Sequence, residues 1–140
     1  MRIQRTNDIS EILKCLPFER EIRNKGRDDQ RESNMLLFVQ SQLNNPLFGF
    51  FMAYDDENNI IGYMVTIISL LPGAERLHIL RIYAKQKELM KQFEEVLKEW
   101  AKLFKVKSAC MTVTNAQMIK AMKRKYGYKV VSVNMERRYL

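Results

Sequence analysis

Seven apolar side chains, Leu89, Phe93, Val96, Leu97, Trp100, Leu103 and Phe104, recur at helical spacing between two short apolar runs. Such a stripe belongs to a helix, spanning about Gln86 to Phe104, that must bury one face, with lysines and glutamates opposite. The run before it, Arg76 to Tyr83, contains Leu77, Ile79, Leu80 and Ile82. So few polar positions are expected of a strand covered on both faces. The run after it, Ser108 to Thr114, alternates as a strand does. A strand, a helix and a strand in this order make a parallel pair joined by a crossover.

The rest of the chain supplies antiparallel neighbours. Phe48 to Tyr54 and Ile60 to Leu70 are rich in aromatic and β-branched residues, and the polar run Asp55 to Asn59 joins them as a hairpin. Pro72-Gly73 turns the chain into the next strand. Ahead of the hairpin, Met1 to Arg5 alternates, and Asp8-Ile-Ser-Glu11 is a capping-box pattern that opens a short helix through Leu16. Pro17 is expected to stop that helix, and the charged run Glu19 to Arg31 reads as a loop or loose turn. A second helix, about Glu32 to Leu43, carries Met35, Leu36, Val39 and Leu43 on one side and ends at Asn44-Asn45-Pro46. After residue 114, Thr114-Asn-Ala-Gln117 opens a helix closed by Gly127, and Lys129 to Met135 makes a last strand. The predicted order is β-α-α-β-β-β-α-β-α-β, an α/β chain with a mixed α+β sheet, in a single domain over residues 1–140.

Charge is unevenly placed. Residues 1–70 carry eight basic and ten acidic side chains, residues 71–140 sixteen and six. The basic half attracts anions, whether coenzyme phosphates, a nucleic acid or an acidic protein surface; the alternative is that its lysines simply solvate helix faces. Lys120, Lys123, Arg124, Lys125 and Lys129, interleaved with Tyr126 and Tyr128, make a patch that suits nucleic acid. No apolar run reaches the about 18 residues of a membrane span, and the N-terminus has no signal-peptide core, so no membrane partner and a cytoplasmic location are expected. Two cysteines, Cys15 and Cys110, and one histidine, His78, leave no Cys/His set for a metal. Both cysteines are expected to be small, reduced core residues.

The element order, the segment Thr-Asn-Ala-Gln-Met-Ile-Lys-Ala-Met-Lys-Arg-Lys-Tyr-Gly-Tyr at 114–128, and the hairpin with its Ile-Ile-Gly-Tyr continuation resemble the GNAT superfamily of N-acetyltransferases. The resemblance covers nearly the whole chain. It implies transfer of an acetyl group from acetyl-coenzyme A to an amine, with the donor in a gap where the strand ending near Tyr83 splays from the strand around Cys110. By the same resemblance, backbone near Leu80, Ile82 and Tyr83 would pair with the pantetheine arm. Amides at the start of the long helix, with Lys85 and Lys87, would hold the pyrophosphate, and Asn115 would contact the donor. The chain departs from the family where Gly-x-Gly-x-Gly or Ala is usual, with Gln86, Glu88 and Met90 in the glycine positions. A carboxylate there satisfies the helix dipole itself and repels phosphate.

The family's usual general acid, a tyrosine four residues before the glycine, is replaced by Lys123; Tyr126 lies three residues further on. His78 lies about where some members place a general base, and imidazole is the side chain suited to proton exchange near neutrality. Candidate catalytic residues are therefore His78, Lys123 and Tyr126. The alternatives to a divergent acetyltransferase are a GNAT-fold protein that binds nucleic acid or another anionic partner without catalysis, and a structural component assembling as a homodimer.

Overall fold

A computed structural model describes residues 1–23, 30–112 and 116–131, with Met135, Arg137 and Tyr139 beyond them. Its order is β1 (Arg2–Thr6), α1 (Ile9–Ile12), a 3-10 turn (Leu13–Cys15), α2 (Leu16–Arg23), α3 (Gln30–Gln42), β2 (Phe48–Tyr54), β3 (Ile60–Ser69), β4 (Arg76–Ala84), α4 (Lys87–Leu103), β5 (Ala109–Met111) and α5 (Ala116–Tyr126). The five strands form one sheet in sequence order. β1 through β4 are antiparallel neighbours, and β4 and β5 are parallel across the α4 crossover. Among the described residues no helix is long and apolar enough to cross a membrane.

Helices cover both faces of the sheet. On one, Leu89, Phe93, Leu97 and Trp100 of α4 are buried against Phe51, Ala53, Ile61, Met64, Leu77 and Ile79. Each such side chain contributes about 1.5–3 kcal/mol by leaving water, so α4 is anchored along its whole length. Leu103, at the end of the predicted stripe, is instead 73% exposed, and the last turn is held by Phe104, whose ring meets Trp100 edge-on at 5.0 Å. On the other face, Ile12, Cys15 and Val39 pack with Phe48, Phe50, Met52, Tyr54, Tyr63 and Val65.

Two local expectations are corrected. Pro17 does not stop a helix: it is the second residue of α2, where a fixed φ and a missing N–H cost nothing because first-turn amides have no intrahelical partner. The chain therefore turns through Leu13–Cys15 and starts again, and Glu19 lies in a helix, not a loop. At the first cap, Asp8 Oδ1 accepts from Ser10 N at 2.9 Å, but the reciprocal arm comes from Thr6, whose Oγ1 accepts from Asp8 N at 3.1 Å. Glu11 is thereby free to accept from Lys14 and from Tyr54 Oη. Gly127 closes α5 with φ 70°, as expected of a C-terminal glycine, and Tyr128 N returns to Met122 O at 3.2 Å. The second capping box and Asn115 involve residues 113–115, outside the described residues. The predicted last strand, Lys129 to Met135, includes residues 132–134, also outside the described residues; its described residues, Lys129, Val130, Val131 and Met135, are not in a strand.

Gly62 sets how closely α4 approaches the sheet. A Cβ there would meet Leu89 Cδ2 and the Tyr83 carbonyl oxygen, each at 2.5 Å. Because one of these atoms is backbone, Gly62→Ala should cost about 1–3 kcal/mol, seen as a lower urea midpoint at unchanged slope. An unchanged midpoint would show that Leu89 is not seated on this glycine.

Candidate functional site

The β3–β4 ladder skips one residue. Val65 pairs with Arg81 and Thr66 with Ile79, so Leu80 is an unpaired extra residue in β4. Such a bulge bends its strand and re-aims the side chains that follow. Before it, Leu77 and Ile79 face α4; after it, Ile82 and Ala84 do, while Leu80 and Tyr83 join the opposite core. The parity of the strand has flipped.

The parallel partner is lost at the same place. β5 pairs with Leu77, His78 and Ile79 and no further, whereas β4 runs on to Ala84. Lys85 N donates to Ile61 O at 2.9 Å, so by strand alternation the polar groups of Tyr83 and Arg81 also point toward β3. Those of Ile82 and Ala84 then point the other way, along the β5 side. Among the described residues no strand pairs with that edge.

Side chains clamp the bulge. Arg81 Nη1 donates to Leu80 O at 3.1 Å, and its Nε lies 3.6 Å from Glu19 Oε1 on α2. Tyr63 Oη donates to the same Glu19 oxygen at 2.6 Å. Glu19 is 4% exposed, a buried carboxylate with a donor on one side and a guanidinium on the other. Burial first, and then the bond to Glu19, push the Tyr63 phenol well above its ordinary range. Next to this clamp the rings of Phe18, Tyr83, Tyr63 and Phe50 stack in sequence at 5.1, 5.7 and 5.9 Å. Lys85 Nζ sits 4.8 Å over Phe18, at an open hollow of about 550 Å³ that Lys14, Asn58 and Asn59 also line.

α4 begins beside the open edge. Gln86 is its N-cap in extended geometry, without a side-chain cap bond, and Lys85, Lys87 and Glu88 are exposed. First-turn amides there are donors for an anion, with Glu88 competing in the same turn.

The predicted site residues divide accordingly. Leu80 is the bulge, Ile82 lies on the open edge, Tyr83 turns its backbone toward β3 and its ring into the aromatic stack, and Lys85 and Lys87 flank the helix start. His78 stands on β4 with Nδ1 3.1 Å from Cys110 Sγ, the two being partners in the parallel ladder. Lys123 is exposed on α5 and Tyr126 is half-buried at its end; the described contacts link neither to His78. Tyr128 Oη reaches Glu94 at 3.5 Å, and burial pushes its phenol up to about 12. Glu19, Tyr63, Arg81 and Ala84 were not singled out from sequence. Glu19 lies seven residues after Ile12 and four after Cys15, a helical spacing that Pro17, read as a helix end, concealed.

This fold is that of the GNAT acetyltransferases. A predicted acetyltransferase from Clostridium acetobutylicum, crystallised with acetyl-CoA, superposes with a TM-score of 0.77 at 15% identity, over 98% of this chain and 95% of that one. A ribosomal-protein-alanine N-acetyltransferase from Brucella melitensis gives 0.71 at 12% identity, over 99% and 100%. An aminoglycoside 6'-N-acetyltransferase from Acinetobacter baumannii gives 0.70 at 15%, over 99% and 98%. No protein-family model and no curated protein matches the chain in sequence.

The clamp has a signature in alkali. An unfolded tyrosine ionises from about pH 10, while Tyr63, Tyr54 and Tyr128 resist in the folded protein. The folded state then holds more protons, so this stability is complete below pH 10 and declines as pH rises above it. Tyr63→Phe should lower stability by about 1–3 kcal/mol at neutral pH, through the lost bond to buried Glu19, and should flatten the decline between about pH 10 and 11. Urea titrations at the two pH values measure both; equal alkaline slopes in the two proteins would refute the clamp.

Proposed function

We propose that this protein is an acyl-CoA-dependent N-acyltransferase, with acetyl-CoA as donor and an amine as acceptor. The observation that carries the reading is the end of the β4–β5 ladder at Ile79 while β4 continues to Ala84 beyond a bulge. An extended chain with amide groups of its own is the natural partner for such an edge. The pantetheine arm of coenzyme A is one.

The residues fit this donor. Ile82 and Ala84 present backbone polar groups to the arm. Lys85, Lys87 and the uncapped first-turn amides of α4 hold its pyrophosphate, as helix N-termini hold anions generally. The three side chains in place of glycines keep the backbone further from the phosphates, and Glu88 subtracts from their attraction, so the lysines must supply more of the hold. When bound, acetyl-CoA supplies an activated acyl carbon on a thiolate leaving group.

The chain's own part is placement and proton transfer. The Glu19–Arg81–Leu80 clamp keeps the edge open, and placement alone is worth as much as about 7–11 kcal/mol in well-oriented reactions. His78, one residue before the ladder ends, is assigned the amine's proton. Its only competitors by sequence, Lys123 and Tyr126, lie on α5.

Calorimetric titration with acetyl-CoA tests this directly. One saturable site is expected, weakened about tenfold or more by the double change Lys85→Glu and Lys87→Glu, and tightened by Glu88→Gln through roughly 0.3–1 kcal/mol of dipole and charge. Absence of saturable heat at millimolar acetyl-CoA would end the proposal.

A further inference from the structure

Cys110 pairs with His78, and direct acyl transfer leaves this thiol unused. They are register partners on adjacent parallel strands, with Sγ and Nδ1 3.1 Å apart. One pair further, at Ile79 and Met111, the ladder ends among the described residues, so the pair lies next to the edge of β4 that no described strand pairs with. Both side chains are half-buried and within reach of solvent.

The chain's other thiol differs on each count. Cys15 is 3% exposed inside the helical face, and burial, then Glu19, push it up to about 12. Cys110 is also raised from its ordinary 9.0 by burial, with Arg76 pulling it the other way. It therefore rests as a thiol, and an imidazole at hydrogen-bond distance is the base such a nucleophile needs. With the ring proton on Nε2, Nδ1 accepts from Sγ–H.

We propose that Cys110 is an acyl-accepting nucleophile, with His78 as its base, and that the acyl group of a thioester passes through an S-acyl-Cys110. For its thioester donor this rests on the acyl-transfer reading above. The Sγ proton moves to Nδ1 as Sγ bonds to the acyl carbon; the thioester C–S bond breaks, and the departing thiolate takes the proton from the imidazolium. The products are S-acyl-Cys110 and a free thiol. An amine then attacks the acyl carbon, the bond to Sγ breaks, and the amine's proton passes by way of His78 to Sγ. The result is an amide and the original thiol, with no change of oxidation state.

The test is intact-protein and peptide mass spectrometry after exposure to p-nitrophenyl acetate, which needs no coenzyme site, and separately to acetyl-CoA. One acetyl group removable by hydroxylamine is expected on Cys110 with both donors, and none on Cys15. His78→Gln should slow its appearance about a hundredfold, and Cys110→Ser should abolish the hydroxylamine-labile group. In the unaltered protein, where folding is not in question, the acylation rate should level off below pH 9. A rate that keeps climbing through the thiol's ordinary 9.0 would instead signal unassisted thiolate chemistry. Among the described residues Arg76 and Tyr128 also act on this thiol, and the plateau should survive Tyr128→Phe. Acylation by the ester but not by acetyl-CoA would support the pair and remove the coenzyme reading. Saturable acetyl-CoA binding with no adduct from either donor, or an unslowed His78→Gln, would overturn the pair alone.

Discussion

Leu80 occupies a position in β4 that has no counterpart in β3, and the arrangement of this end of the sheet depends on that one extra residue. A strand in regular register would turn Arg81 toward the α4 core. With the extra residue the strand bends, its parallel ladder ends at Ile79, and Arg81 swings to the α2 side. Beside this one local irregularity lies a backbone edge that no strand among the described residues pairs with, together with the means of holding it.

A bulge would anneal or slip if nothing opposed it. Here both sides of the sheet oppose it. From the α2 side, buried Glu19 ties Tyr63 on β3 to Arg81 on β4, and Arg81 returns to the Leu80 carbonyl. From the α4 side, Leu89 presses onto Gly62, next to the Tyr83 carbonyl, and starts the long helix where the open edge ends. Since Leu89, Phe93, Leu97 and Trp100 are all buried, that start cannot drift without loosening the whole core. The packing that stabilises the protein is also what positions its proposed donor site.

The sequence carried the large-scale order because that order rests on periodicity, which one chain displays by itself. The α4 stripe, the β2–β3 hairpin and the crossover were legible in this way. The bulge was written there only as a break in phase: Leu77 and Ile79 alternate, then Leu80 follows directly and Ile82 resumes on the other parity. In a strand expected to be covered on both faces, such a break looks like uniform apolarity. Glu19 was hidden by Pro17, read as an end when it is a beginning, and a carboxylate in a polar run gives no sign that a tyrosine 44 residues away will bury it. His78 and Cys110 were each visible, but their pairing depends on parallel register, which no local pattern fixes.

The GNAT likeness and the open edge lead to the same claim, that Ile82 and Ala84 are backbone partners for an extended, amide-bearing donor. Residue-resolved amide hydrogen exchange measures this most directly. Without ligand, Ile82 and Ala84 should exchange much faster than Arg81 and Tyr83, which face β3, and saturating coenzyme A should slow the first pair selectively. Protection of Ile82 and Ala84 in the free protein, or exchange at those two amides unaltered by coenzyme A, would contradict the claim.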